Sequence, residues 1–181
     1  MRDRLRIAIQ KKGRLHDNSM ELFNEIGIKV EFSGKSNLLC HALNAPIDFL
    51  FVRDDDIPTL VNGKVCDPGV IGENVLEEFL WGIKGTTKKN DIIKDKKLGF
   101  GRCRLSIAVS NNSSDDIQVL KNTRIATSYP YLVQQFSEKH NLNLDALSIS
   151  GSVERAPNLQ MADSICDLVS TGRTLKENNL K

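Results

Sequence analysis

Residues 162–175 of the chain, ADSICDLVSTGRTL, show its fold class most clearly. The apolar run 165–169 predicts a buried strand. The small and polar residues that follow it, from Ser170 to Thr174, predict a turn that opens into a helix. A strand followed directly by a helix is typical of an α/β protein, and it places the turn at the carboxyl end of the strand.

The turn 170–174 is also a candidate binding site. Backbone N–H groups at a helix start, with small hydroxyl groups beside them, suit a phosphate group, and Gly172 lets the backbone approach it closely. An acidic residue just upstream, Asp167 or Asp163, is suited to accept hydrogen bonds from the hydroxyls of a ribose. The alternative is structural: the hydroxyls cap a helix and the aspartates stabilise turns.

The same alternation of strands and helices extends over the rest of the chain. Helices are predicted from Asn18, where Glu21 completes the spacing of a capping box, after Pro58, and at 74–80 and 131–140, with Gly27 as a left-handed C-cap of the first helix. Strands are predicted at 5–10, 28–32, 48–52, 65–71, 104–109, 124–127, 144–150 and 165–169. This pattern predicts an α/β fold with mainly parallel sheets.

A change of character between residues 82 and 99 suggests two lobes. The segment contains GTTKKN and KDKK, and we interpret it as a surface connection in which Lys96 and Lys97 are solvated. The expected architecture is two α/β lobes, residues 1–95 and 96–181, with a cleft between them.

Composition excludes several classes of protein. Of the 181 residues 40% are hydrophobic and 27% charged, as in an ordered globular protein, and the net charge of +2 is too small for a dedicated nucleic-acid binder. The four cysteines form no CxxC pair, which argues against a zinc site and a disulfide scaffold and favours reduced thiols in a cytoplasmic protein. The amino terminus is not a signal peptide, and no stretch is long enough to span a membrane.

The loop after the first strand is the second candidate site. It carries Lys11, Lys12 and Arg14, and Gly13 can bend it. Loops at the carboxyl ends of parallel strands bind ligands in open α/β sheets. Three cations suit a pyrophosphate or triphosphate, with Arg14 able to grip it through two hydrogen bonds. A solvated basic loop is the alternative.

Acidic residues follow three other predicted strands. Glu73 either faces a cleft or caps the next helix near its positive end. Glu154 either reaches the cleft or pairs with Arg155 in solvent. The run 54–56 invites a magnesium interpretation, but three successive side chains cannot all face one ion, and Asp56 fits a helix cap better.

Taken together, these segments resemble one family. The stretches QKKGRL, PIDFLFVRDDDIP, GVIGENVLEE, CRLSIAV, RIATSYP, GSVERAP and ADSICDLVSTGRTL occur in the order seen in ATP phosphoribosyltransferases, especially the long form, over essentially the whole chain. The resemblance implies a two-lobed core like that of type II periplasmic binding proteins, with the active site in the interlobe cleft. It implies transfer of phosphoribosyl from phosphoribosyl pyrophosphate (PRPP) to N1 of ATP, the first step of histidine biosynthesis. It also implies Mg²⁺ dependence, inhibition of the full-length enzyme by histidine, and homo-oligomers, either dimers or hexamers.

The resemblance also assigns roles to residues. The catalytic candidates that it implies are Arg14, Glu73 and Asp167. The substrate-binding candidates are Lys12, Gly13, Glu154, Asp163, Ser170, Thr171, Gly172, Arg173 and Thr174. Of these, Ser170, Thr171, Gly172 and Thr174 would hold the 5′-phosphate of PRPP.

The chain departs from the family pattern at a few positions. Pro68, Leu43 and Gln160 replace residue types that are common there, and Gln160 is expected to stiffen the approach to the phosphate loop. Long-form members continue with strands that return to the first lobe and with a regulatory domain, and both are expected to be absent from this chain. A two-lobed binding module without catalysis is the alternative function.

Overall fold

The computed structural model describes residues 3–31, 38–87 and 89–181. They form two compact units, residues 1–101 and 102–181, each built around one four-stranded sheet with helices. The α/β class predicted from the alternation of strands and helices is confirmed in both units. Among the described residues, no helix is both long enough and apolar enough to cross a membrane.

Unit 1 contains the first four strands. The elements of unit 1 are β1 (Leu5–Gln10), α1 (Arg14–Glu25), β2 (Val30–Glu31), β3 (Leu39–Ala42), β4 (Ile47–Val52), α2 (Ile57–Asn62) and α3 (Glu73–Ile83). In the sheet β1 is parallel to β4, while β3 is antiparallel to both β4 and β2, giving the order β1-β4-β3-β2. Because β1 and β4 are parallel and in register from end to end, residues 11–14 and 53–56 emerge at the same edge, which we call the carboxyl edge of unit 1.

The core of unit 1 lies on both faces of β1 and β4. Ile9 and Phe49 are fully buried on the face that α1 covers, where Phe23 meets Phe49 edge to face at 4.8 Å between ring centroids. Ala8 packs on the opposite face against Ile57 of α2. Burying each large apolar side chain of this kind contributes about 1.5–3 kcal/mol, so these contacts fix the edge from which the candidate loops project.

Two predictions for unit 1 were wrong in detail. Helix α1 begins at Arg14 rather than near Asn18, because Gly13 at φ +97° already turns the chain into the helix and leaves Asn18 in its interior. Residues 65–71 do not form a strand: they make a single bridge, between Gly69 and Ala8, on the outer side of β1. Pro68 has no backbone N–H to give, which interrupts a continuous ladder.

Other local predictions for unit 1 were confirmed or fell outside the described residues. Gly27 has φ +83° and ends α1 in the left-handed conformation, as predicted. The strand predicted at 28–32 is reduced to Val30–Glu31, and Phe32 lies outside the described residues.

Unit 2 contains the other four strands. Its elements are β5 (Arg104–Val109), β6 (Arg124–Thr127), α4 (Pro130–His140), β7 (Asp145–Ser148), β8 (Ser164–Val169) and α5 (Arg173–Glu177), with 3₁₀ turns at Ile117–Leu120 and Val153–Arg155. The strands lie in the order β5-β8-β6-β7, with β6 parallel to β7 and β8, and β5 antiparallel to β8. Ile125, Ala126 and Ile165 are fully buried between the sheet and its covering elements.

The register of unit 2 brings several loops to one edge. Thr127 of β6 lies opposite Ser148 and Cys166, and Val169 lies opposite Arg104 at the start of β5. The residues that follow β6, β7 and β8 therefore emerge beside the start of β5, at what we call the carboxyl edge of unit 2. At the outer side of β5, Val109 and Lys181 exchange two N–H···O bonds of 2.9 Å.

Candidate functional site

The turn after β8 has an exposed backbone surface. Strand β8 ends at Val169, and Gly172 at φ +76° directly precedes α5. A Cβ built on Gly172 meets no atom within 4 Å, so this face of the turn is open to a ligand. The N–H of Arg173 points toward Thr171 Oγ1 at 3.5 Å, which curls the backbone around this face. The turn therefore has the form of a cradle for an anionic group.

Arg173 does not add its charge to the cradle in this structure. Its Nε donates to Glu177 Oε1 at 2.7 Å, one turn further along α5, and both side chains are exposed. Ser170, Thr171 and Thr174 are exposed on the turn itself. The backbone and the hydroxyl groups, rather than the guanidinium, are thus the groups nearest to a bound anion.

Asp167 lies on β8 just before the cradle and is only partly exposed. Its Oδ1 accepts the N–H of Leu168 at 2.7 Å. Burial raises the pKa of this carboxyl above its ordinary value, and the negative charge of Glu154 adds to the rise, against the opposing effect of the Leu168 bond. A carboxylate that is partly buried beside another acid is typical of a functional site.

Glu154 lies near Asp167 but belongs to a different part of the chain. It lies in the 3₁₀ turn after β7, whose Val153 is buried in the same cluster as Ile165 of β8. The Glu154 side chain is 20% exposed, and its Oε1 lies 3.9 Å from Arg155 Nε. The pairing of Glu154 with Arg155, one of the two alternatives left open by the sequence, is present in the structure, and the charge of Glu154 also acts on Asp167.

Asp163 is not brought together with the cradle. It precedes β8, whose six residues separate it from Ser170, a span of about 23 Å over seven extended residue steps. Its Oδ2 accepts the N–H of Arg124 at 2.9 Å, and its own N–H donates to the Arg124 carbonyl at 2.9 Å. These bonds tie Asp163 to the start of β6, at the opposite edge of the sheet.

The basic loop of unit 1 lies at the carboxyl edge of that unit. The N–H of Lys11 donates to the carbonyl of Val52 at 2.7 Å, which holds the end of β1 beside the end of β4. Lys12 and Arg14 are exposed, and Gly13 is the turn residue between them with open space beside it. This loop has the same form as the one after β8: a strand, a glycine with positive φ, and an arginine that begins a helix.

Glu73, the first residue of α3, is held by two lysines that the sequence did not connect with it. Its Oε1 lies 3.7 Å from Lys94 Nζ and its Oε2 lies 3.4 Å from Lys97 Nζ. Lys97, predicted to be solvated, is highly exposed but ion-paired. This contact could not be predicted from a sequence pattern, because the connecting segment 89–101 has no regular secondary structure.

The candidate residues therefore form two groups, one in each unit. Unit 1 holds Lys12, Gly13, Arg14 and Glu73, and unit 2 holds Glu154, Asp167 and residues 170–174. Arg104 is a further cation at the carboxyl edge of unit 2, which only the β5–β8 register reveals. Within residues 3–31, 38–87 and 89–181, no three His, Cys, Asp or Glu side chains are grouped to hold a metal ion.

The chain is similar to a known family model and to solved structures. The family model HisG, ATP phosphoribosyltransferase, matches residues 53–181. The ATP phosphoribosyl transferase (HisG:HisZ) complex from Thermotoga maritima is 31% identical with a TM-score of 0.76, over 98% of this chain and 80% of that chain. A probable amino-acid ABC transporter extracellular-binding protein from Bacillus subtilis is 15% identical with a TM-score of 0.47, over 90% of this chain and 69% of that chain. The family model covers well over half of this chain, so the chain belongs to the ATP phosphoribosyltransferase family of histidine biosynthesis.

Proposed function

We propose that this protein joins PRPP to ATP, giving phosphoribosyl-ATP and pyrophosphate, as the first step of histidine biosynthesis in the cytoplasm. One observation carries the proposal: the family match includes both Glu73 of unit 1 and the whole β8–cradle–α5 segment of unit 2. The cradle supports a phosphoribosyl ligand because it combines an open backbone turn with a carboxylate on the strand that leads into it.

PRPP is the ligand that we assign to unit 2. Its 5′-phosphate would accept hydrogen bonds from the backbone and hydroxyl groups of Ser170, Thr171, Gly172 and Thr174. The ribose hydroxyls would donate to Asp167, whose ionised form is the acceptor. Glu154 keeps a second carboxylate beside it.

The reaction is a displacement at C1 of the ribose. N1 of the adenine ring forms the new bond to C1 while the bond from C1 to the pyrophosphate oxygen breaks, and the electron pair leaves with the pyrophosphate. Adenine N1 is a modest nucleophile, so holding both substrates in position supplies much of the rate enhancement. Arg14, exposed at the carboxyl edge of unit 1, is suited to bind the pyrophosphate as its charge develops, and no covalent protein intermediate is needed.

The acidic residues fit a magnesium ion that is shared with a substrate. Mg²⁺ commonly binds one or two carboxylates and completes its shell with phosphate oxygens and water. Glu154 and Asp167 provide two neighbouring carboxylates, and the described part of the chain has no larger acidic cluster that would form a protein-only cage. When bound, Mg²⁺ would neutralise charge on the leaving pyrophosphate.

We further propose that the chain assembles and responds to histidine when it forms part of a complete enzyme. The Thermotoga maritima relative was solved as a HisG:HisZ complex, so assembly with copies of itself or with a second subunit is expected. Light scattering of the complete enzyme tests its assembly, and an activity assay with and without histidine tests the response. A monomeric complete enzyme, or one whose activity histidine does not change, would contradict the proposal.

The first test of the proposed function is a thermal-shift experiment with Mg²⁺–PRPP on the wild type and on Gly172→Val. PRPP at 100 times its Kd should stabilise the wild type by about 2.7 kcal/mol, a rise in Tm of about 5 °C or more. Valine at φ +76° strains the turn by about 1–2 kcal/mol, and its side chain occupies the open face of the cradle. The PRPP-dependent shift should therefore be lost.

Gly85→Val is the matched control. Gly85 also has positive φ, at +78°, with no atom within 4 Å of an added Cβ, but it lies in unit 1 after α3. It should lose similar intrinsic stability and keep the full PRPP shift. A normal shift in Gly172→Val would remove the cradle assignment, and a wild type that shifts with PRPP but forms no adduct with ATP would contradict the transferase reaction.

A further inference from the structure

The segment that follows α3 is fastened to unit 1 although it contains no helix or strand. Asn62, the last residue of α2, donates from Nδ2 to the carbonyl of Lys89 at 3.0 Å and accepts the N–H of Asp91 on Oδ1 at 3.0 Å. A side-chain amide that satisfies a donor and an acceptor two residues apart fixes the local course of the chain. The start of this segment, residues 89–91, is therefore placed relative to α2.

Lys94 fastens the same segment to α3. Its Nζ hydrogen-bonds Glu77 Oε1 and lies 3.7 Å from Glu73 Oε1. Glu73 and Glu77 are four residues apart on one helix face, so their like charges repel each other. One ammonium group between the two carboxylates offsets that repulsion, and the hydrogen bond that Lys94 donates to Glu77 raises the pKa of Lys94 above its ordinary value.

The Glu73 carboxylate is restrained on both of its oxygens. Lys94 lies near Oε1 and Lys97, at 3.4 Å, near Oε2. The side chain is 60% exposed, so in the absence of these cations it would move among several rotamers in water. Of the two lysines, Lys94 is the more firmly placed, because it is half as exposed as Lys97 and has Glu77 as a second partner.

We propose that Lys94 is a positioning residue that holds the Glu73 carboxylate in its working orientation while it clamps the connecting segment to α3. The inference rests on the proposed function, for which the family resemblance makes Glu73 a catalytic candidate. It adds that one lysine, Lys94, both attaches the segment leading toward unit 2 to α3 and contacts a catalytic candidate, Glu73. A change in the course of that segment therefore changes the orientation of Glu73.

A double-mutant cycle distinguishes the positioning of Glu73 by Lys94 from a purely structural attachment of the segment to α3. Lys94→Ala, Lys94→Arg and Lys96→Ala are made in the wild type and in Glu73→Gln, and kcat/KM for phosphoribosyl-ATP formation is measured in each. Lys96 is the matched control, a lysine of the same segment with no ion pair among the described residues. In the wild-type background Lys94→Ala should lower kcat/KM about fivefold, the upper range for a partly exposed ion pair. Lys94→Arg should stay within about twofold of the wild type and Lys96→Ala should have no effect.

The decisive comparison is between the two backgrounds. If Lys94 acts through Glu73, Lys94→Ala should cause no further loss once Glu73 is glutamine. An equal fold-loss in both backgrounds would overturn the positioning role. Because Lys94→Arg keeps the charge, a loss as large as that of Lys94→Ala would overturn it as well.

Amide hydrogen exchange tests the clamp without reference to activity. Lys94→Ala should speed exchange in residues 89–97 and in the first turn of α3 about two- to fivefold, whereas Lys96→Ala should not. Unchanged exchange in Lys94→Ala would overturn the clamp. A wild type that forms no phosphoribosyl-ATP would instead overturn the proposed function and, with it, the role of Glu73. The exchange measurements would still test the clamp, because they do not depend on activity.

Discussion

Two aspartates show how differently the two units use a carboxylate in a strand. Asp48 on β4 is buried, and its Oδ1 accepts bonds from Arg4 Nε at 2.6 Å and His41 Nδ1 at 2.9 Å. Burial acts to raise the pKa of Asp48, but the hydrogen bonds from His41 and Arg4 outweigh it and leave the pKa below its ordinary value. Asp167 on β8 faces Glu154 instead of a cation, and its pKa is raised.

The difference supports the proposal that Asp48 stabilises the fold whereas Asp167 binds a ligand. Arg4 also donates from Nη2 to three carbonyl groups, at Ala42, Ala45 and Ile47, so the charge cluster around Asp48 is satisfied within the protein. Asp167 has one backbone N–H and a neighbouring acid, an arrangement that costs stability when the carboxyl is ionised. Such a cost is expected where a ligand supplies the missing partner.

The largest expected effect is on ligand binding, in Asp167→Asn. Removing an ionised acceptor for the ribose hydroxyls should weaken PRPP binding about 10- to 100-fold, as for hydrogen bonds to charged groups. The melting temperature in the absence of ligand should stay the same or rise, because the variant no longer buries an ionisable carboxyl. Calorimetric titration with PRPP and a melting curve check both parts. Unchanged affinity, or a clear loss of intrinsic stability, would place Asp167 in the same structural class as Asp48.

The second effect is on stability, in Asp48→Asn. The substitution leaves the Arg4 guanidinium without its anionic partner and should cost about 2 kcal/mol at neutral pH, measured by urea unfolding. Because the pKa of Asp48 is depressed in the folded state, its contribution is present above the unfolded pKa and is lost as the pH falls through the folded pKa. The difference between variant and wild type should therefore disappear in acid.

Asp145→Asn is the matched control for Asp48→Asn. Asp145 accepts a bond from Arg124 Nε at 2.7 Å, but both side chains are more than half exposed. Its loss should cost less than about 0.5 kcal/mol. Equal costs at positions 48 and 145 would mean that burial does not distinguish the two ion pairs.

The smallest effect is a shift in the pH dependence of PRPP binding. Because the pKa of Asp167 is raised, its carboxylate is lost at a higher pH than an ordinary aspartate, and affinity should fall as the pH drops through that pKa. Glu154→Gln removes the neighbouring charge, so the acid limb should move to lower pH. The sign for stability is opposite to that of Asp48: protonation of Asp167 favours the folded state, and this contribution is lost as the pH rises. An acid limb that does not move in Glu154→Gln would show that burial alone sets the pKa.

Most of the strands could be predicted because their apolar runs are unambiguous. Strands β1, β4, β5, β6 and β8 were expected within a residue of their observed bounds. Strand β3 was missed, because its four residues, with one ionisable histidine among them, give no clear alternation of apolar and polar side chains. The antiparallel pairings of β3 and β5 were also missed, because strand direction depends on long-range pairing that local patterns do not encode.

The candidate site was predictable to the extent that its residues are adjacent in sequence. The turn 170–174 and Asp167 belong to one strand–turn–helix segment, and the sequence pattern identified it directly. The proximity of Glu154 to Asp167 depends on the packing of a 3₁₀ turn against β8, and that of Lys94 to Glu73 on an irregular segment. Neither contact has a spacing that a sequence could reveal. The distance of Asp163 from the cradle was also predictable, because the six extended residues between Asp163 and Ser170 keep the two apart.

The pairing of β1 with β4 affects how the chain folds during its synthesis. The bonds from the Arg4 side chain reach 38–44 residues ahead in the sequence, and among the described strands β1 pairs only with β4. Strand β1 is therefore synthesised well before the strand that satisfies its backbone, and closing so long a loop is slow. During that interval the apolar run of β1 is exposed. A synthesis intermediate stalled before residue 47 should thus be more prone to bind chaperones or to aggregate than one released after residue 52.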